Sequence, residues 1–253
     1  MNLLKEWKEV RAFIISLVPV IGALLALLAV VGAVMAGLGT RWEVWHFRVG
    51  LGLLKWSAYA GICSLILSAG GIAAGLISTG RRALALSIAG CIISGLVVGI
   101  PAYWARQARQ LPAIHDITTD TVNPPQFVAI LPLRMNASNP PGYGGPQIAE
   151  QQEVAYPQVR PLIYPDSFDM TYDKVFVLAR RLGWKIVDAS RKDGRIEAVD
   201  STLWFGFKDD IVIRIRPLSS GTRIDIRSVS RVGVSDIGTN ARRITRFLQA
   251  MGK

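Results

Sequence analysis

The residues best suited to chemistry lie near the C-terminus, where a predicted strand enters a glycine-containing loop that opens a helix. Arg227 and Arg231 precede the loop, and Asn240 stands at the predicted start of the helix. A helix N-terminus presents unpaired N–H groups and the positive end of the helix dipole, so it favours anions. Nearby arginines could add bidentate contacts to phosphate or carboxylate. We therefore predict a site for an anionic ligand or a partner at Arg227, Ser228, Arg231, Asp236, Asn240 and Arg243.

The same corner also has a structural interpretation, which the sequence leaves open. Asp is a favoured capping residue, so Asp236 could cap the helix and pair with Arg231 or Arg227. The corner would then stabilise the fold without binding a ligand.

A second candidate site comprises His115, Asp116 and Asp120, shortly after the last hydrophobic segment. A histidine beside acids could be a metal ligand or a general base. The only other histidine, His46, lies in the hydrophobic part of the chain, and one histidine with scattered carboxylates makes a poor zinc site. We predict no metal here, and favour a role for His115 in docking its segment onto the domain.

Other catalytic patterns are missing from the sequence. It contains no nucleophile elbow, phosphate-binding loop or dinucleotide fingerprint. Asp209 and Asp210 are adjacent, but neighbours in a strand point to opposite faces, which argues against a carboxylate dyad. We therefore predict no catalytic residues, no cofactor and no enzymatic activity.

The elements that must position these residues fall into two regimes of composition. The first 110 residues hold ten lysines and arginines and three acids among long aliphatic runs, and the remainder holds nineteen against fifteen. A net charge of +11 would suggest nucleic acid. Much of the excess flanks apolar helices, where basic residues meet lipid headgroups. We therefore expect a lipid bilayer, and not nucleic acid, as the partner of the first regime.

Three runs in residues 1–105 predict transmembrane helices, over about 13–38, 56–78 and 83–103. The first is much longer than the roughly 7–15 apolar residues of a signal peptide, so we expect a retained helix. An interfacial segment is predicted over 41–55, with a connecting loop as the alternative, because apolar residues recur there at helical spacing: Trp42, Trp45, Val49, Leu53 and Trp56. Gly71-x-x-x-Gly75 and Gly95-x-x-x-Gly99 predict close packing within the bundle or, alternatively, a homo-oligomer or complex interface.

Basic residues are balanced across the predicted membrane, five on each side, so the bulk count does not orient the chain. Arg81 and Arg82 lie in a predicted five-residue turn between the second and third helices, and both would have to cross together. We therefore expect a cytoplasmic N-terminus and a periplasmic C-terminal domain in a bacterial inner membrane.

Residues 106–165 are rich in proline and glycine, and predict an extended arm without long regular elements. Residues 166–253 predict an α+β domain. A helix starts near Ser167 or Asp169, and another starts near residues 239–240. Between them, strands are predicted over 184–189, 195–200, 203–207, 211–216 and 222–229. The fold class is thus three transmembrane helices plus a two-layer domain, with an antiparallel sheet of four to five strands and two helices on one face.

Alternation in the last two predicted strands shows which face of the sheet is covered. Ile211, Ile213 and Ile215 point one way, whereas arginines and an aspartate alternate with the isoleucines of this strand and the next. We expect the helices to cover the isoleucines and the charged face to stay open.

Several of these stretches resemble a known family. They are His115–Phe127, Gly183-Trp184, Arg195–Ala198, Asp209-Asp210 and Arg227–Ile244. The chain from about 111 to 250 is similar to the uncharacterised domain-of-unknown-function family numbered fourteen-ninety-nine, which in bacteria often follows membrane helices. The resemblance supports the domain boundaries and implies no activity.

These features lead to three hypotheses about function. The leading hypothesis is a non-enzymatic, membrane-anchored binding or scaffolding module that holds an anionic ligand or a membrane or periplasmic partner protein. The second is an accessory subunit of a larger membrane complex. The third is a hydrolase that uses His115 with Asp116 or Asp236.

Overall fold

A computed structural model describes residues 3–78 and 81–252. Thr79 and Gly80, in the predicted turn between the second and third helices, lie outside the described residues. The chain forms two compact units. The first contains the described residues up to Arg106 together with Leu203–Gly206, and the second contains Gln107–Thr202 and the residues from Phe207 onwards.

Three long helices build the first unit: α1 (Leu3–Arg41), α2 (Phe47–Ser78) and α3 (Arg81–Gln110), whose residues from Gln107 onwards belong to the second unit. Each contains a stretch apolar and long enough to cross a membrane, over Ser16–Arg41, Phe47–Gly75 and Arg81–Gln110. At 1.5 Å per residue, even the 26-residue stretch exceeds the roughly 30 Å hydrocarbon core. The prediction of three such helices is confirmed.

The predicted interfacial segment over 41–55 divides in the structure. Arg41 ends α1, a short turn follows, and α2 begins at Phe47. Glu43 has a φ of 60°, so the backbone reverses there. Trp42 therefore belongs to the turn and does not share a helical face with Trp56, although both indole rings are exposed.

Small residues bring the three helices together. The Ser64 hydroxyl donates to the Gly22 carbonyl (2.7 Å) and accepts from the Ser94 hydroxyl (2.7 Å), which joins all three helices. A Cβ at Gly71 would lie 2.3 Å from Ser87 Oγ, so glycine is required for this close approach. A Cβ at Gly95 or Gly99 would meet no atom within 4 Å. Gly71 therefore has different surroundings from Gly95 and Gly99.

The strand predicted over 203–207 is wrong. Residues 203–205 form a turn, and Leu203–Gly206 belongs to the first unit. Trp204 packs against an apolar cluster that includes Ala29 and Ala33. The apolar character of this segment thus reflects packing in the first unit rather than a place in the sheet.

The second unit contains a six-stranded antiparallel sheet. Its strands are β1 (Asp116–Thr118), β2 (Leu162–Tyr164), β3 (Lys185–Ser190), β4 (Arg195–Ser201), β5 (Lys208–Leu218) and β6 (Gly221–Ser230). Their order is β1-β6-β5-β4-β3, and β2 also pairs with β6. Gly194, with a φ of 59°, forms the turn between β3 and β4, where a Cβ would lie 2.1 Å from the Ile215 carbonyl oxygen.

Two helices cover one face of this sheet, as predicted. They are α5 (Phe168–Arg181) and α6 (Thr239–Met251). Ile213 is paired with Ile226, and both lie in the main core with Val175 of α5 and Phe247 of α6. The alternation of isoleucines therefore identified the covered face correctly.

The other face is not open, which corrects the prediction. Phe127 and Ile130 pack on Val212 and Val229, and Glu197 is fully buried beneath them. The Glu197 carboxylate accepts from the backbone N–H groups of residues 128–130, which lead into a 3₁₀ helix (Leu131–Arg134). Residues 123–143 of the segment predicted to be an extended arm thus cover the charged face, and we call them the cover segment.

The arm also contains a helix that was not predicted, α4 (Pro146–Ala155). Its first residue is a proline, whose missing N–H costs nothing at this position. Gln152 of α4 exchanges hydrogen bonds with the backbone of Thr118 in β1 (2.9 and 2.7 Å), which ties the helix to the sheet.

Candidate functional site

Arg227, the first residue of the predicted corner, is fully buried on the covered face of β6. Its Nε and Nη2 donate to the two oxygens of Asp116 (2.9 and 2.7 Å). The guanidinium lies between the rings of Phe127 and Tyr143, at 5.2 and 5.6 Å from their centroids. It also donates to the carbonyls of Pro125 and Pro141. Arg227 therefore holds the cover segment onto β6 and does not face solvent.

Ser228, Asn240 and Arg243 form a separate buried network on the helix-covered face. The Ser228 hydroxyl donates to Asn240 Oδ1 (2.7 Å). Arg243 donates to Asp209 (2.6 Å) and to Asp200 (2.9 Å). This network joins α6 to the ends of β4, β5 and β6.

Arg231 pairs with Asp210, which lies on the face opposite to Asp209. Its Nη2 is 2.8 Å from Asp210 Oδ1, and Arg134 contacts the same carboxylate at 2.5 Å. Adjacent aspartates thus bind arginines on opposite sides of the sheet, as the alternation of strand side chains requires.

Asp236 caps α6, as the structural interpretation proposed. Its carboxylate accepts from the N–H groups of Gly238 (2.8 Å) and Asn240 (2.7 Å). Burial raises the pKa of Asp236, and the two N–H contacts oppose that shift. The pairing of Asp236 with Arg231 or Arg227 was wrong, because these arginines are bound to Asp210 and Asp116.

The residues of the second candidate site do not converge on one point. His115 Nδ1 lies 3.2 Å from the Val234 carbonyl, whereas Asp116 is paired with Arg227. Asp120 accepts from Arg214 and Arg223 at 3.0 and 2.9 Å. Burial raises the pKa of Asp116, although the contact with Arg227 opposes the shift.

The His115 backbone carbonyl accepts from Ser230 N–H and from the Asn240 amide, which holds the segment against β6 and α6. Within the described residues, no group of three or more His, Cys, Asp and Glu side chains is arranged to hold a metal.

The exposed flank of α6 has two shallow clefts that sequence reasoning missed. They have volumes of about 220 and 240 Å³, and Arg242 and Arg246 line both of them. We call the larger one the α6 cleft, and its lining includes Leu111, Tyr156, Gly238, Arg242, Thr245 and Arg246. The signal available in the sequence was the spacing of two arginines four residues apart in a helix, which places them on one face.

The region matched by a known family covers most of the second unit. No curated protein matches the chain. The family model described as "Protein of unknown function (DUF1499)" matches residues 116–251, which is more than half of the chain and runs from the first residue of β1 to the last residue of α6. The chain therefore belongs to the DUF1499 family.

Proposed function

We propose that the chain is a non-enzymatic, membrane-anchored binding module whose second unit holds an anionic ligand or an anionic partner protein. The observation that carries the proposal is the α6 cleft, whose lining includes two arginines and no Asp or Glu among the described residues. An exposed, arginine-lined surface attracts anions, and the attraction weakens as salt rises.

The side chains that could act in catalysis already make other contacts, which supports a binding role over an enzymatic one. Both oxygens of Asp116 accept from Arg227, and Asp236 is occupied by the N–H groups at the start of α6. The His115 ring contacts a backbone carbonyl. A hydrolase would have to break these contacts to use the three groups together.

The proposal can be tested directly on the full chain, solubilised in an uncharged maltoside detergent. Titration with inorganic phosphate, succinate and short polyphosphate at low and high salt should show binding that weakens with ionic strength. If none of these anions binds at low salt, the proposed function is wrong.

The proposed location is a bacterial inner membrane, with the N-terminus in the cytoplasm and the second unit in the periplasm. It is supported by Arg81 and Arg82 at the start of α3, since basic residues near helix ends are retained on the cytoplasmic side. A cysteine introduced at exposed Gln249 should react with a membrane-impermeant thiol reagent in spheroplasts. Reaction only after lysis would reverse the orientation.

One observation favours a second candidate function, that of an accessory subunit in a larger membrane complex or a homo-oligomer. Gly95 and Gly99 have open space where a Cβ would stand, so this pair is available for another helix. Gly95→Leu should release a partner during purification from native membranes while the protein still folds. Gly71→Leu is the contrasting variant, because its side chain would clash with Ser87 within the bundle and so disturb the packing of the chain itself.

A further inference from the structure

Two residues that line the α6 cleft, Tyr156 and Thr245, carry buried hydroxyl groups that the described part of the fold leaves unpaired. Tyr156 is only 7% exposed, and its hydroxyl has no hydrogen-bond partner in the described part of the chain. The same is true of the buried hydroxyl oxygen of Thr245. Buried polar groups in native proteins are nearly always paired, so two unpaired hydroxyls lining one cleft point to a missing acceptor.

The start of α6 approaches two side chains of the cleft closely at Gly238. Gly238 has a φ of 72°, and a Cβ there would lie 3.2 Å from the Tyr156 hydroxyl and 3.0 Å from Arg242 Nη1. Gly238 therefore brings the start of α6 close to both side chains. The Tyr156 hydroxyl and the Arg242 guanidinium consequently both lie beside the Cβ position of Gly238.

The two arginines of the cleft differ in how firmly they are held. Arg242 donates to the Ile237 carbonyl (3.0 Å) and to Thr239 Oγ1 (3.2 Å), which fixes its guanidinium at the first turn of α6. Arg246 is exposed and makes no hydrogen bond or ion pair among the described residues. Like charges four residues apart on a helix repel each other, and a bound anion would relieve that repulsion.

We propose that the α6 cleft binds a phosphate group, which deepens the proposed function and rests on it. Arg246 closes on the phosphate and Arg242 adds a fixed positive charge. The hydroxyls of Tyr156 and Thr245 donate to its remaining oxygens. A phosphate monoester carries nearly two negative charges and several acceptor oxygens, which matches two arginines and two donors better than a single carboxylate does.

The phosphate group has two sources, a soluble ester or a lipid headgroup. Leu111, which lines the cleft, directly follows Gln110, the last residue of α3. The cleft is thus linked through one peptide bond to a helix that is long and apolar enough to span a membrane.

The test uses the full chain in maltoside detergent, titrated with glycerol 3-phosphate by calorimetry. Arg246→Gln should weaken binding by about tenfold or more, since a charge-assisted contact is lost. Tyr156→Phe should weaken binding by about tenfold without lowering the melting temperature, because the lost hydroxyl has no partner in the fold. Arg180→Gln is the matched control, since it removes one exposed helical arginine outside the cleft.

Phosphatidic acid added in mixed micelles distinguishes the sources. Competition with glycerol 3-phosphate supports the site with a lipid headgroup as its ligand, and titration unchanged by the lipid supports the site with a soluble ester. The site inference is overturned if Arg246→Gln and Tyr156→Phe bind like Arg180→Gln, or if succinate binds as tightly as the phosphate. In either case the proposed function survives as long as some anion binds, whereas it fails with the inference if the wild-type chain binds none.

Discussion

The buried pair of Asp116 and Arg227 offers a quantitative test of how the cover segment is attached to the sheet. The Arg227 side chain is fully buried, and that of Asp116 is 7% exposed. Asp116→Asn keeps the shape and removes the charge, which leaves a buried guanidinium without a counter-ion. Breaking a buried pair in this way lowers the free energy of unfolding by about 3–5 kcal/mol. The carbonyls of Pro125 and Pro141 remain as acceptors, so we expect a cost of about 3 kcal/mol.

Hydrogen exchange in the full chain measures this cost locally, without requiring reversible unfolding of the membrane helices. The Thr119 N–H donates to the Ile226 carbonyl at the end of β1, so it reports opening of this part of the sheet. A loss of about 3 kcal/mol corresponds to exchange that is roughly 150-fold faster.

Asp193→Asn serves as the control for the buried pair. The Asp193 side chain is 52% exposed and 3.5 Å from Arg195. An exposed pair contributes about 0–1 kcal/mol, so exchange should change by less than about fivefold. Replacing both members of the buried pair, Asp116→Asn with Arg227→Met, should recover part of the loss because no charge remains buried. The reasoning is refuted if Asp116→Asn accelerates exchange no more than the control does.

Three further predictions concern α6 and its neighbours. Asp236→Ala should lower the stability of the start of α6 by about 1 kcal/mol, because the cap is lost, and the Asn240 N–H should then exchange faster. Ser201→Ala, at an exposed strand end, is the control and should leave the exchange of that N–H unchanged. Burial raises the pKa of Tyr156, so the folded chain keeps a proton that the unfolded chain loses above about pH 10, and stability falls as pH rises there. Tyr156→Phe should flatten part of that fall between pH 9 and 11 in urea titrations, and an unchanged slope would contradict the assignment. His115→Ala should leave phosphate binding intact, since its ring contacts a backbone carbonyl, and loss of a wild-type hydrolytic activity in that variant would instead support a hydrolase.

Regular periodicity explains what could be predicted from the sequence. Helices in the first unit follow from apolar length alone, and the alternation around Ile213 identified both β5 and its covered face. The opposite directions of Asp209 and Asp210 follow from strand geometry, and the contacts with Arg243 and Arg231 agree with it. These features depend on neighbours within one element, which a single sequence displays.

Features that depend on distant partners could not be predicted. Asp116 and Arg227 are 111 residues apart, and no local pattern pairs them. The cover over the charged face was missed for the same reason, since proline and glycine gave residues 106–165 the composition of a loop. Helix α4 was missed because it has only 10 residues, with Pro146 at its start as the main local sign.

The distribution of charge explains why the predicted corner and the cleft differ as candidate sites. Arg227 in β6 and Arg231, directly after β6, each bind a buried carboxylate, and these pairs stabilise the fold. After Gln110 the chain holds nineteen basic and fifteen acidic residues, and several carboxylates are already bound inside the sheet. Arg246, by contrast, is an exposed helical arginine that lines a cleft beside unpaired hydroxyls. An anion has the most to gain at a cation that the fold does not already neutralise, which makes α6 the better place to test for a ligand.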